Sequence, residues 1–347
     1  MDVDELVRRY TSGERDFTGV NLTGADLSGI NLAGANFTQA FLPYTTLDRS
    51  TLTATCFNRA FLYGARMNYV KLGSADLSQS DLTKADLTGA YLVKANFTEA
   101  KLTGAVLKAA NLRCANLVRV NFCGANLSSV NLHAANLESA DLSWVNLSKA
   151  KLNGARLRGA CLMHITLSEA FVNGVDLSGA ELDGVDLSGA KLNGVNLNQA
   201  NLTAANLNQA QLKQASLIQA NLRAAHLNGT LLANADLSEA HLSRSTLVQA
   251  NLNGANLSQA NLNGADLSAA NLSRANLRSA YLWMTKLSWA NLHHTNLRGT
   301  QMQGASLDGA QLHEILYDET TRFPTTIPIA LPTPLSQRIS EQLLSNG

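Results

Sequence analysis

Seven histidines, four cysteines and scattered carboxylates are the residues of this 347-residue chain that could carry chemistry. A nucleophilic or acid–base site needs two or three of them to converge in a concave, water-excluding pocket. The histidines stand apart along the chain. Only His293 and His294 adjoin, and neighbours on an extended chain tend to point to opposite faces. Cys56, Cys114, Cys123 and Cys161 follow no metal-ligand spacing. They read as outward, free thiols of a reducing compartment, the cytoplasm. Charge collects in two short runs, Lys149 to Arg158 and Asp176 to Asp186, both read as solvated. The pattern predicts no catalytic residues, no cofactor, no metal and no enzyme. The formal net charge of +1 gives the total no bias toward nucleic acid. No apolar run approaches the roughly 20 residues of a membrane span, and MDVDELVRRY lacks the apolar segment of a signal peptide.

The elements that would position any site follow from one pattern. Residues 251–270 read NLNGANLSQANLNGADLSAA, with Leu at every fifth position. Counted from Phe17 to Leu312, sixty such centres follow without insertion or deletion, and fifty-two are Leu. The others are Phe17, Phe37, Phe57, Phe97, Phe122, Met67, Met302 and Val172. Two residues before each centre stands Ala, Val, Ile, Ser or Thr, Arg15 excepted, and 21 of the 24 glycines lie two residues after one. On a helix, positions five apart differ by a net ~140° and form no apolar stripe. Strand alternation fails too, because apolar spacing runs two, then three. The pair at spacing two makes a short edge and the other three residues make a corner. Glycine at a fixed place there asks for positive φ, as in a type II turn. Corners of about 90° close a coil after four units, and coils stack about 4.8 Å apart. Sixty units predict about 15 coils and a rod roughly 70 Å long.

The units resemble the A(D/N)LXX consensus of the pentapeptide-repeat family, most clearly at Ala25-Asp26-Leu27, Ala115-Asn116-Leu117 and Ala255-Asn256-Leu257. The resemblance spans residues 15–312 and implies an all-β fold, a right-handed quadrilateral parallel β-helix with short helical caps. The segment LVRRYTSGERDF is similar to the N-terminal cap of cyanobacterial members, among them regulators of heterocyst differentiation.

Open coils need covered ends. Val3, Leu6, Val7 and Tyr10 share one helical face, with Asp2 or Asp4 placed to cap it and Gly13 to end it. Residues 1–14 are therefore read as a cap helix and 15–312 as the β-helix. Residues 313–347 are read as an irregular, proline-rich tail with a short helix over 335–345, which could cap the last coil or form a homodimer as in some family members.

Residues 20 apart fall in one column. The column before Phe17, Phe37 and Phe57 holds Asn or Asp at twelve of fifteen places, from Asp16 to Asn296. This side is read as structural, with Phe17, Phe37, Phe57, Phe97 and Leu137 in its core and a polar ladder outside. Each of the other three sides has six or seven Asn or Asp in that column and more freedom to bind. On one of them Phe41 is expected over Phe61, and Pro43 over Tyr63, with Tyr44 beside them, all outward. Tyr281, Trp283 and Met284 form a second cluster there. The N-terminal helix and the C-terminal tail are the expected covers if these clusters are not partner sites.

These features point to a non-enzymatic interaction scaffold or regulator that meets an unidentified protein partner. The alternative is a DNA mimic that inhibits or protects DNA gyrase, as some family members do. It is disfavoured because residues 17–312 carry 22 Lys and Arg against 17 Asp and Glu. An ice-binding face would need a regular threonine column, and the column Thr23, Pro43, Tyr63, Thr83 is broken.

Overall fold

The computed structural model describes residues 1–325. The expected helix over 335–345, and the self-association assigned to it, lie outside the described residues. The chain divides into two compact units, Met1–Asp176 and Leu177–Gly347. Each is built by the same five-residue rule.

One corner of the first unit shows why. The Leu22 N–H donates to the Phe41 carbonyl (2.9 Å), and the Phe41 N–H donates to Val20 (2.8 Å). The Gly24 N–H donates to Pro43 (3.0 Å), and the Ala25 N–H closes the turn on Leu22 (3.0 Å). The remaining donor, the Thr23 N–H, goes to the side chain of Asn21 (3.0 Å). Between them these bonds show an acceptor for each of the five N–H positions of a repeat that has a coil before it and its own Asn or Asp. Parallel bridges join residues 20 apart, Asn21 to Phe41 and Phe41 to Phe61. Four units make one coil. We number the sides by their first centres: Phe17, Leu22, Leu27 and Leu32.

The inward leucines and alanines are almost wholly buried; Leu62, Ala65, Leu137 and Leu142 are 0% exposed. Full burial of each leucine is worth roughly 1.5–3 kcal/mol. Where a hydroxyl replaces alanine it bonds to the chain: Thr45 donates to Leu22 O (2.9 Å) and Ser50 to Leu47 O (2.8 Å). Among the described residues no buried side-chain polar atom lacks a partner.

The corners widen one expectation. Positive φ is not confined to glycine: Gln39, Ala54 and Ala134 hold φ 56°, and Trp144 holds 62°. An L-residue there costs about 1–2 kcal/mol. The cost is offset because this residue's N–H must reach the next coil, as Gln39 N–H does to Asn58 O (2.9 Å).

The first unit opens with α1, Val3–Thr11. The Asp2 carboxylate caps it by accepting from Glu5 N–H (2.8 Å). Leu6 is fully buried, the Tyr10 hydroxyl donates to Ala33 O (2.9 Å), and the Arg9 guanidinium lies 5.7 Å from the Phe17 ring. The helix thus docks where the first coil would expose its core. Gly13, at φ 100°, turns the chain into the repeats.

In the second unit the ladder runs past the last regular repeat. Leu316 bridges Asn296, and Arg322 bridges Gln301 after one extra residue. Residues 313–322 therefore continue the coil pairing where the sequence suggests an irregular tail. Asp318 makes this possible. One carboxylate oxygen accepts from Thr320 Oγ1 (2.6 Å), Thr320 N–H (3.0 Å), Gly299 N–H (3.2 Å) and Thr321 Oγ1 (3.2 Å). These donors, the Thr320 hydroxyl foremost, lower its pKa to about 2.

Candidate functional site

Inward positions are filled by the core, so a site must be built from outward ones. On the first side those positions serve the backbone. In the first unit Asn36 donates to Asp16 (3.1 Å), Asn96 to Asp76 (2.9 Å) and Asn116 to Asn96 (3.1 Å). In the second, Asn256 donates to Asp236, Asn276 to Asn256 and Asn296 to Asn276, at 3.0–3.1 Å. The same side chains accept the fifth N–H of their own repeats, as Asn36 does from Thr38 (3.0 Å). Beneath them Phe17, Phe37 and Phe57 stack at 5.5 and 5.2 Å.

A second way to hold that N–H escapes a column-by-column reading. In several repeats where the usual Asn or Asp is missing, an Asn or Asp one coil earlier takes over. Asp48 accepts from Asn68 N–H, and Asn198, Asn208, Asn228 and Asn263 accept from Ile218, Asn228, Val248 and Trp283, all at 2.8–3.0 Å. The signal is present in the sequence, as Asx 20 residues before a repeat that lacks its own.

Two repeats on the second side of the first unit depart from both devices. Phe41 and Phe61 occupy the outer column where the first side has Asn or Asp, and Pro43 needs no acceptor because it has no N–H. The Tyr63 N–H meets neither kind of acceptor, since residue 61 is Phe and the residue one coil earlier is Pro43. The rings of Phe41 and Phe61 stack at 5.0 Å, Phe61 and Tyr63 at 6.1 Å, and Tyr44 meets Tyr63 edge-on at 5.6 Å. Lys84 Nζ lies 5.9 Å from the Tyr63 ring. Phe41 is 45% exposed and Tyr44 62%, whereas Pro43, expected outward, is buried. Helix α1 leaves this patch open. Tyr44 rests on Gly64, where an added Cβ would come within 3.0 Å of its ring. Such a pairing of a large corner residue with glycine one coil later is a second signal the columns hold.

Further along that side of the first unit, Trp144 stacks on His164 at 4.1 Å. In the second unit Tyr281, Trp283 and Met284 are exposed, and Trp283 Nε1 donates to Gln303 (3.2 Å). Residues 313–325 do not cover them. On the third side of the first unit, Asp48, Arg49, Arg66 and Tyr69 line a shallow hollow of about 520 Å³. There Asp48 pairs with Arg66 (2.8 Å).

The four cysteines are free thiols, with Cys56 facing Thr38 Oγ1 and Cys161 facing Ser143 Oγ. Among the described residues no group of three or more His, Cys, Asp or Glu side chains could hold a metal ion. No described helix is long and apolar enough to cross a membrane.

The chain is similar to several solved repeat proteins. HetL, a pentapeptide repeat protein involved in heterocyst differentiation regulation in the cyanobacterium Nostoc sp. strain PCC 7120, is 27% identical. The alignment covers 93% of this chain and 99% of HetL, with a TM-score of 0.23. Rfr23 from the cyanobacterium Cyanothece 51142 is 27% identical over 44% of this chain and 90% of its own, TM-score 0.16. Full-length QnrB1, a plasmid-mediated fluoroquinolone resistance protein, is 15% identical over 70% and 91%, TM-score 0.32. No curated protein sequence matches the chain. The family description "Pentapeptide repeats (8 copies)" matches overlapping stretches between residues 16 and 315, among them 16–53, 90–128, 125–162, 180–219 and 285–315. Those stretches take in most of the chain, which belongs to the pentapeptide repeat family and has its fold, the right-handed quadrilateral β-helix.

Proposed function

We propose that this repeat scaffold is a non-enzymatic, cytoplasmic interaction protein whose second side meets a protein partner through Phe41, Tyr44, Phe61 and Tyr63. The observation that carries the reading is the open aromatic patch. Phe41 and Phe61 stand where the first side keeps a polar ladder, Tyr44, Tyr63 and Lys84 lie beside them, and α1 leaves Phe41 and Tyr44 open to solvent. Exposed aromatics grouped on a rigid surface are the usual anchors of protein interfaces, and a pre-ordered surface pays little entropy on binding. Tyr281 and Trp283 offer a second anchor of the same kind in the second unit. The four free thiols fit a reducing compartment. Mimicry of DNA toward gyrase ranks second, because a stand-in for duplex DNA needs a strongly acidic surface and the repeats carry a basic excess.

The test is affinity capture with the intact chain, a Phe41→Asp/Phe61→Asp variant and a Tyr281→Asp/Trp283→Asp variant, each checked for an unchanged melting curve. One protein retained by the intact chain and lost with the first variant supports the reading. Equal retention by all three removes the aromatic patches from it. No retained protein, with a dimer seen by light scattering, replaces it by self-association.

A further inference from the structure

Charge in the first unit is not shared evenly among its sides. Over residues 15–176 the first side carries five Lys or Arg against five Asp or Glu, the second two against two and the third four against four. The fourth carries Lys71, Lys94, Arg113 and Lys151 and no carboxylate. Elsewhere in the unit cations meet partners: Arg66 pairs with Asp48, Arg119 with Glu99, Lys149 with Glu169 and Arg156 with Glu138. The four cations of the fourth side are exposed, and among the described residues they enter no ion pair. Their side also gives up a structural task. Asn111 and Asn131 accept the turn N–H groups of Arg113 (3.2 Å) and His133 (3.1 Å). Lys71 and Lys151 hold the same column, joined to it by bridges through Tyr91, Asn111 and Asn131, and an ammonium group accepts nothing. Tyr91 is 49% exposed and rests on Gly73, where an added Cβ would stand 3.0 Å from its ring. Gly73 is not the left-handed residue of its corner, which is Ser74 at φ 56°. Its lack of a side chain makes room for the ring.

We infer that the fourth side of the first unit is a docking face for a short acidic segment of a partner protein, with Lys71, Lys94, Arg113 and Lys151 meeting its carboxylates and Tyr91 as a fixed ring among them. The backbone sets the size of that segment. Lys71 and Lys151 stand four coils apart. That is about 19 Å at about 4.8 Å per coil, the span of about six residues of extended chain. Cations held at fixed positions steer an acidic segment in and select its register. Arg113 can take a carboxylate through two parallel N–H groups. Size also decides against a long polyanion. The strip is flanked by sides whose charges cancel, so a nucleic acid or a lipid surface would lie mostly against surface with no basic excess. The inference rests on reading the chain as an interaction protein, but its residues lie on a different side from Phe41 and Phe61.

The experiment titrates a fluorescently labelled hexapeptide of alternating Glu and Asp with the full chain at low salt and follows its anisotropy. Expected is saturable binding that weakens as salt rises. Affinity should fall at least about tenfold in Lys94→Glu/Arg113→Glu, which exchanges two attractions for two repulsions. It should hold in Arg59→Glu/Lys101→Glu, which changes the total charge equally on the first and second sides. The exchanged side chains are all exposed, so both variants should melt like the intact chain. No saturable binding, or equal weakening in both variants, would overturn the assignment. So would tighter binding of single-stranded oligothymidylate, or of vesicles of equal phosphatidylserine and phosphatidylcholine, lost in Lys94→Glu/Arg113→Glu. A dimer that forms in the intact chain, fails in that variant and excludes the peptide would give the face to a second copy instead. Affinity capture tests the rings of the second side and this titration tests the cations of the fourth, so either reading can fail alone.

Discussion

The first and second sides of the first unit share one backbone and one core rule, yet differ in what their outer column does. On the first side Asp16, Asn36, Asp76 and Asn96 hold the turn N–H groups and several hydrogen-bond to the coil before. On the second, Phe41 and Phe61 stand in that column, and Pro43 removes one donor instead of satisfying it. The same residue type then has opposite roles. Phe37 is buried between two rings, and Phe41 is stacked on only one and open to solvent. At Pro43 the backbone's demand for an acceptor is removed, which frees the outer column there for a side chain that serves no turn.

The largest effect should ignore the difference between sides. Leu137→Asp, on the first side, and Leu142→Asp, on the second, each place an unpaired charge where exposure is 0%. Both should abolish a cooperative unfolding transition in urea; an unchanged curve for either would break the shared core rule. Next, Phe37→Ala should cost about 3–5 kcal/mol and Phe41→Ala less than about 1 kcal/mol in the same measurement. Equal costs would erase the contrast between a core stack and a binding patch. Third, Asn96→Ala removes an acceptor used by Thr98 N–H, Thr98 Oγ1 and Asn116 Nδ2, and a donor to Asp76. It should cost about 1–2 kcal/mol.

Smaller still, Ala134→Gly relieves a residue at φ 56°. It should leave stability level or raise it by up to about 1 kcal/mol, the gain limited by the extra freedom of glycine in the unfolded chain. The smallest effect is electrostatic. Asp16 has its pKa lowered from 3.8, first by the Thr18 hydroxyl and then by Thr18 N–H. A carboxylate with a depressed folded value stabilises fully above its unfolded pKa and loses that contribution as pH falls through the lower folded value. Asp16→Asn keeps an acceptor and loses the charge. Its melting temperature should lie slightly below that of the intact chain at neutral pH, and the gap should close below about pH 4. A gap that widens in acid would mean that the carboxylate does not strengthen this ladder.

Much of this architecture is legible from spacing. A period of five with an apolar pair at spacing two admits an edge and a corner, and the buried Leu137 and Ala65 follow directly. The first cap is legible because Leu6 and Tyr10 share a helical face and Asp2 precedes it. The exposed rings of Phe41, Tyr44, Tyr281 and Trp283 follow from their columns. Pro43 does not: its column points outward, yet it is buried. His293 and His294 were separable only under strand geometry. They sit in a corner, where consecutive side chains both face outward. The pairing through Arg322 was hidden because Asp318, not the five-residue rule, holds the last turn.

The sequence by itself determined the register, the core and the four columns, since burying a leucine at every fifth residue leaves the chain one economical way to turn. Only the tertiary structure decided which acceptor serves each fifth N–H, which non-glycine residues accept a left-handed corner, and which outward rings stack. Those outcomes depend on contacts between residues 20 apart. There the backbone ladder sets the distance, and the side chains compete for whatever donors and space it leaves.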